Sequence, residues 1–473
     1  MPRRQRITEW NPEDIVAWDA GNSGIARRNL IWSIVTAHVA FSIWYLWSVM
    51  ALFMPHDVYG FSTGDKLLIG ATASLTGAIA RLPDAMAGAR LGGHNWALFS
   101  SSVLLIPVVG AVALLAHPGL PLWPYLVCAA LTGLGGANYS ASLANAEAYY
   151  PQRLKGFVLG ITGGIANLGS ATVQAVGLLV LALAGHYAPY WVCAIYLVLL
   201  AVGGLGAAVF MDNLRYRVDM SHLTEILKIA DSWRISLLYL CCSGSFIGFA
   251  FAFGQLLQHN FLISGQTHAQ ASLHAAEIAF IGPLLGSMAR VAGGKLADHF
   301  GGGRVSLLLL IGMICGGAFL TIISTHDDLT RGPDTAVTHL TMIGYVAGFI
   351  WLFIFAGGGK AAVYKLIPSI FQVRSLELDG DETERRGWAR VRSATLIGFA
   401  GAFGALGGVG INLVLRQSYD SAGTETPAFW IFLACYTAAA VVTWIHYVRP
   451  DRIPAWVPTI PHAEAGSQAA EPL

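Results

Sequence analysis

Charge is what this sequence has least of. Lysine, arginine, aspartate and glutamate together make up 12% of its 473 residues, where soluble domains carry about 25%. That deficit excludes an ordinary water-soluble chain. Cysteine is sparse as well. Cys128, Cys193, Cys241, Cys242, Cys315 and Cys435 all lie in apolar runs without CxxC spacing, which argues against disulfides or a metal cage and for small packing residues. Catalytic signatures are missing too: there is no nucleotide loop, metal-ligand set or catalytic triad. GGGK at 357–360 lacks the Ser or Thr and the strand–loop–helix setting of a phosphate loop. An enzyme is not expected, nor a cofactor. The opening MPRRQRITEWNPED has no apolar core or small-residue cleavage site behind its basic residues, so a secretory signal is not expected.

What the chain has instead is apolar length. It is 55% hydrophobic with a mean hydropathy of +0.58, and apolar runs recur from Asn29 to His446, each near the roughly 20 residues that cross a bilayer. The pattern predicts an all-α membrane protein with helices over 29–54, 66–89, 96–116, 122–148, 156–183, 189–211, 236–259, 274–296, 304–324, 338–371, 393–415 and 427–448, about twelve spans. The net charge of +1 says little, because sign matters loop by loop. One set of loops holds Arg27, Arg28, Arg90, Arg153, Lys155, Arg215, Arg217, Lys228, Arg234, Lys295, Arg304, Arg374, Arg385, Arg386, Arg390, Arg392, Arg449 and Arg452. The alternate set, including AHPGLPLWP and AGHYAPY, is poor in Lys and Arg. The positive-inside rule then puts both termini in the cytoplasm. The longest polar segments inside the hydrophobic region are 212–235 and 372–393; the first reads as a linker between bundles 29–211 and 236–448, flanked by a cytoplasmic segment 1–28 and a tail 449–473. The tail is polar and Ala/Pro-rich, which predicts disorder.

The halves repeat. GAIARLPDAMAGARLGG (77–93) lies over GSMARVAGGKLADHFGG (286–302), pairing Arg81 with Arg290 and Gly92–Gly93 with Gly301–Gly302 at a spacing of 209 residues. Parallel repeats with a site at their interface describe a secondary-transporter architecture. One intramembrane arginine could snorkel or be neutralised by a carboxylate such as Asp84; two at equivalent positions point to a substrate path. Guanidinium is planar, permanently charged and forked, which suits trigonal oxyanions. Two opposed forks also repel each other when the cavity is empty. After Arg290 comes GGKLADHFGGGRV, whose Gly294, Asp298, Gly301 and Arg304 resemble the G-x-x-x-D-x-x-G-x-[RK] loop of the major facilitator superfamily with one extra residue. The first-half copy has Ala89 where Asp298 would pair.

Two glycine-rich stretches in each half complete the pattern: GLGGANYSASLANAEAYYP and KGFVLGITGGIANLGSATVQ, then FAGGGKAAVYKLIPSIF and LIGFAGAFGALGGVGIN. Glycines at this spacing let helices approach closely. Packing alone does not explain why Asn138, Asn145, Thr162, Asn167 and Gln174 share these helices; asparagine and exposed glycine backbone could offer N–H donors to a small planar anion. With EWNPED, RRNL, SLLYLCCSGSFIGF and FIGPLLGSMARVAGGKLADHFGG, these stretches resemble the nitrate/nitrite porter family (NarK type) of the major facilitator superfamily almost from end to end.

The resemblance implies a nitrate or nitrite ion held between Arg81 and Arg290. It assigns Asn167 as a polar contact, Tyr239 as a hydrogen-bonding tyrosine, and Phe41 and Tyr139 as a sandwich, with Gly163, Gly164 and Gly404 in the signatures. Tyr139 departs from the usual phenylalanine, and Ser243 stands where a cavity aromatic is often found. Lys360, Lys365 and Glu147 are candidate coupling groups. YKLIP, with Lys365, is similar to the nitrate/proton symport branch, and repeat alignment suggests a Glu147–Lys365 interaction. Symport is favoured over nitrate/nitrite exchange, with another small-anion facilitator as a third reading; a transporter-like sensor would need a signalling domain. His38 could relay protons or simply bond a neighbour, Glu277 is expected to be solvated, and Trp44, Trp47, Trp96, Trp123 and Trp191 to be interfacial or packing residues. The expected partners are nitrate, nitrite, protons and lipid, with no nucleic acid. The expected state is a monomer in the inner membrane.

Overall fold

The apolar runs fold as helices. The computed structural model describes residues 6–7, 10–185, 188–214, 222–331, 337–379 and 381–449; Arg215, Arg217, Arg452 and the tail lie outside them, as do the side chains of Arg153 and Lys155. The N-terminal part holds α1 (Ser23–Trp44), α2 (Thr63–Ile79), α3 (Arg81–Leu91), α4 (Gly93–Ala116), α5 (Leu122–Ala148), α6 (Gln152–Ala184) and α7 (Tyr190–Phe210). The C-terminal part holds α8 (Ala230–Ile263), α9 (His268–Ala279), α10 (Ile281–Phe300), α11 (Gly302–Thr330), α12 (His339–Ser375), α13 (Glu382–Ala422) and α14 (Thr426–Thr443). Nine helical stretches among the described residues are long and apolar enough to cross a membrane, ten with the bent pair at Tyr45. The remainder of the expected spans have physical reasons to miss that mark. The 17-residue α2 stops short at a break, and α5 is diluted by glycine, asparagine and serine.

Two expected helices are broken by proline. A proline has no N–H to donate and its ring clashes with the carbonyl four residues earlier. Pro83 stands four residues after Ile79, the last residue of α2, and Pro283 four after Ala279, the last of α9. The 66–89 and 274–296 spans are therefore each two helices. The expected 372–393 polar segment also contracts: α12 continues to Ser375, and Asp381 caps α13 by accepting from the Glu384 N–H at 2.7 Å. Charged residues there extend the helices beyond the apolar slab instead of forming a loop.

The repeat survives in the backbone. Gly92 (φ 88, ψ 149) joins α3 to α4 and Gly301 (φ 86, ψ 140) joins α10 to α11, a conformation that a side chain resists. Along the linker, β1 (Arg6–Ile7) pairs in parallel with β2 (Asn213–Leu214), Arg6 opposite Asn213. This sets the N-terminal segment and the linker on one side, here the linker face. Arg28 and Asn29 both reach Asp212, at 2.6 and 3.0 Å. Beyond β2, Arg392 donates to both Glu225 oxygens, at 2.9 and 2.8 Å, and holds that carboxyl below its usual range. A carboxyl titrating lower when folded stabilises above its unfolded value and loses that contribution as pH falls through the folded one. Glu225 is 49% exposed, so the pair is worth at most about 1 kcal/mol. Glu225→Gln should lower the melting temperature slightly at neutral pH, and the two curves should converge in acid.

On the opposite face the two parts are tied together. Gln258 Nε2 and Ser272 Oγ both donate to the Leu52 carbonyl, at 2.9 and 2.7 Å. Gln174 donates to the Ala250 carbonyl at 2.8 Å. Gly64 and Gly70 of α2 let that helix lie against Asp420 of α13 and Phe251 of α8.

Candidate functional site

The break before α3 makes Arg81 its first residue, turning the side chain into the space between the two parts. It is only 6% exposed. Its Nη1 donates to the Gly401 carbonyl of α13 at 2.9 Å, and its guanidinium carbon lies 5.3 Å from the Trp44 ring and 5.7 Å from the Tyr139 ring. Cation–π contacts of this kind are worth about 2 kcal/mol when desolvated, so two aromatic faces and one carbonyl offset part of the cost of burying the charge. Its Nε has no hydrogen-bond partner. Of five N–H donors, several remain for a ligand.

Arg290 lies across the same space. The Tyr139 hydroxyl lies beside it at Gly163, where a Cβ would come 2.8 Å from that hydroxyl and 3.7 Å from an Arg290 guanidinium nitrogen, with Tyr239 and Tyr364 close by. Tyr139 thus touches both cations, its ring under Arg81 and its hydroxyl at Arg290. Phe41 backs it at 5.5 Å between centroids. Tyr239 stacks on Tyr364 at 4.2 Å with an interplanar angle of 5°. A third cation completes the group. Lys360 is 3% exposed; its Nζ donates to Asn167 Oδ1 at 3.2 Å and sits 4.1 Å from the Phe246 ring centre. Asn167 in turn donates to the Gly163 carbonyl at 2.6 Å.

Most of the residues expected from the sequence are brought together here: Arg81, Arg290, Asn167, Tyr239, Phe41, Tyr139 and Lys360. The glycines do a different job. Gly163, Gly164 and Gly404 lie inside α6 and α13, where their amides serve the helix ladder and are not free to bind an anion. Gly404 is there so that the Tyr239 ring can lie flat on α13, and Gly163 leaves room for the Tyr139 hydroxyl. Gly164 faces open space. Ser243 is buried against Gly404, so small residues frame the Tyr239 ring on that wall. Asn145 binds Ser33 at 2.9 Å inside the N-terminal part and is structural. His38 bonds the Ile165 carbonyl at 2.8 Å.

The expected Glu147–Lys365 interaction is replaced by another. Lys365 Nζ pairs with Asp298 Oδ1 at 2.5 Å, both side chains about half exposed. The helical direction of α12 carries Lys365 to α10, on the surface and away from the cavity. Gly294, Gly301 and Arg304 of the loop motif lie alongside, with Gly301 as the turn and Arg304 exposed. Because Lys365 and Asp298 belong to the same part of the chain, their pair orients α12 on α10 and does not bolt the two parts together. Lys365→Gln should change anion uptake by no more than about fivefold, measured as initial rate per molecule. Asp84 is likewise not the neutraliser of Arg81: among the described residues it forms no ion pair, and its buried Oδ2 has no hydrogen-bond partner.

Sequence reasoning missed Trp44 and Tyr364. Trp44 was expected at an interface or in packing; it is fully buried, donates Nε1–H to the Ala73 carbonyl at 3.0 Å and presents its face to Arg81. Tyr364 sits inside YKLIP, overshadowed by its lysine neighbour. Its hydroxyl reaches the Ile397 carbonyl at 3.4 Å and shares with Arg81 the space over Gly401. A tyrosine four residues after a buried lysine, hence on the same helical face, was the available signal.

Residues 30–375 match the model of the Major Facilitator Superfamily. The chain is 31% identical over 477 aligned residues to "Nitrate/nitrite transporter NarU" of Salmonella typhimurium, covering 94% of this chain and 97% of that protein. It belongs to the nitrate/nitrite porter family of the major facilitator superfamily. It is 26% identical to "Probable nitrate/nitrite antiporter NarK2" of Thermus thermophilus, with coverage of 94% and 96%. The crystal structure of a D-xylose–proton symporter superposes with a TM-score of 0.59 at 14% identity, covering 88% of this chain and 97% of the other. That likeness concerns the fold alone. This porter-family member is thus an all-α, multi-pass membrane protein with the two six-helix bundles of its superfamily, and a transporter, not an enzyme.

Proposed function

We propose that this porter moves nitrate and nitrite across the cytoplasmic membrane by alternating access. Bundles 29–211 and 236–448 rock about the site, joined by 212–235, with segments 1–28 and 449–473 in the cytoplasm and the protein working as a monomer. The observation that carries the reading is Arg81: a buried guanidinium between two aromatic faces, with unspent donors and Arg290 opposite. A cavity with two fixed positive forks between aromatic walls selects a small planar anion with one negative charge. Tyr139 and Phe41 supply the flat walls, and Tyr239 with Tyr364 the hydroxyl-bearing side. With the termini inside, the bonds at Leu52, Gln258 and Ser272 close the outer face.

Proton symport is favoured over nitrate/nitrite exchange because a third ionisable group, Lys360, shares the cavity. Net anion uptake against a negative interior costs roughly 2.3 kcal/mol per charge per 100 mV, which exchange avoids and symport offsets with protons. The test is uptake of labelled nitrate into proteoliposomes. Acceleration by an inward proton gradient supports symport. Uptake that requires internal nitrite and ignores the gradient supports exchange, and no nitrate-competed uptake under either condition rejects both.

A further inference from the structure

We propose that Lys360 carries the co-transported proton, and that it takes that proton up together with the anion. The inference rests on the nitrate reading above. Three features of the site lead to it. First, Lys360 is a cation among cations: the charged groups that bear on it are Arg290 of α10 and Arg81 of α3, with the Cys242 thiol of α8 as its remaining ionisable neighbour. Among the described residues no carboxylate pairs with it. Second, its other surroundings supply little compensation, namely one amide oxygen from Asn167 on α6 and the Phe246 ring on α8. The tyrosines Tyr139, Tyr239 and Tyr364 gather around Arg290. Third, it is the one cation of the three whose chemistry allows discharge. Guanidinium stays protonated in proteins, whereas a lysine amine can lose its proton when buried.

Three positive charges in one dry cavity without a counter-ion are strongly disfavoured. The empty site relieves this by leaving Lys360 as a neutral amine, still able to donate an N–H to Asn167. An arriving anion brings the negative charge that restores the ammonium. The step balances as amine plus H⁺ plus NO₃⁻ giving ammonium beside NO₃⁻. The nitrogen lone pair accepts a proton from water on the open side, and no bond of the anion is made or broken. The cavity then carries the same net charge empty, with two guanidiniums, as it does loaded, with two guanidiniums, an ammonium and the anion. Both reorienting states are electrically alike, so one proton accompanies one anion and the cycle is electroneutral. A permanently charged Lys360 would instead leave the empty cavity one charge more positive than the loaded one.

The direct experiment counts protons. Purified full-length protein in weak buffer is titrated with sodium nitrate; a pH indicator reads proton uptake while equilibrium dialysis reads bound nitrate. The wild type should take up about one proton per nitrate at neutral to mildly alkaline pH, and Lys360→Arg and Lys360→Gln close to none per nitrate bound. Equal ratios in wild type and either variant overturn the proposal, as does a wild-type ratio near zero while nitrate binds. If neither variant binds nitrate, wild-type proteoliposomes decide. Uptake driven by a pH gradient and unmoved by an imposed membrane potential supports the one-to-one carrier; uptake that follows the potential overturns it. Failure of the wild type to bind nitrate strikes the substrate reading and not the role of Lys360, so the two failures are distinguishable.

Discussion

Nitrate binding falls about a hundredfold when Arg81 or Arg290 is replaced by lysine, a loss of about 3 kcal/mol. The substitution keeps the charge, so a site that needed only a positive potential would tolerate it. The prediction follows from geometry instead. At Arg81 one N–H is committed to Gly401 and the ring faces of Trp44 and Tyr139 hold the guanidinium, leaving a planar edge for a trigonal anion. Lysine offers a point charge on a flexible stem, cannot keep the Gly401 bond and present a fork at once, and packs less well on the rings. At Arg290 the same change also abandons the Tyr139 hydroxyl, whose ring faces Arg81. Isothermal titration of purified variants with nitrate reads the effect. Binding within about threefold of wild type in both variants would mean that charge alone makes the site.

Gly357→Val should destabilise the protein by about 3 kcal/mol or more, at the upper end of overpacking effects. The two helices α10 and α12 cross backbone to backbone. A Cβ at Gly357 would strike the Gly286 carbonyl, and one at Gly293 would come within 2.5 Å of the Gly358 carbonyl. Neither obstacle is a side chain that can turn away, so the helices must separate. Because Arg290 rides on α10 and Lys360 on α12, separation also pulls the site apart. Gly410→Ala is the matched control, since a Cβ there meets nothing within 4 Å; it should leave stability unchanged or raise it by about 0.5–1 kcal/mol through helix propensity. Thermal unfolding in detergent separates the two, and a Gly357→Val melting curve coincident with the control would refute the close-crossing argument.

Features that declare themselves by cost were legible in the sequence. Arg81 and Arg290 stand out because charge in an apolar run is rare, and their equal spacing to Gly92 and Gly301 exposed the repeat. The positive-φ turns at those two glycines are the backbone form of that spacing. Other features were hidden because their residue types have commoner uses. Tryptophan usually marks an interface or fills a core, which hides the face that Trp44 presents to Arg81. Tyr364 sits in a stretch that reads as ordinary helix, and the glycine-rich signatures suggest free amides that the continuous helices through Gly163 and Gly404 use in their own ladders. Position along the helix decided the lysines. Lys360 and Lys365 are five residues apart, a rotation of about 140° beyond a full turn, which sends one into the cavity and the other out to Asp298. The helix breaks before Arg81 and before α10 follow from Pro83 and Pro283, whose effect falls four residues upstream and is easily overlooked in an apolar run.

Transport requires that the Arg81–Arg290 cavity carry nitrate. The most direct measurement is counterflow. Proteoliposomes of wild type and of Arg290→Lys are loaded with unlabelled nitrate and diluted into a trace of labelled nitrate. The wild type should accumulate label transiently, and the variant should show little above protein-free vesicles. Equal accumulation by both, or none by the wild type, would contradict that requirement.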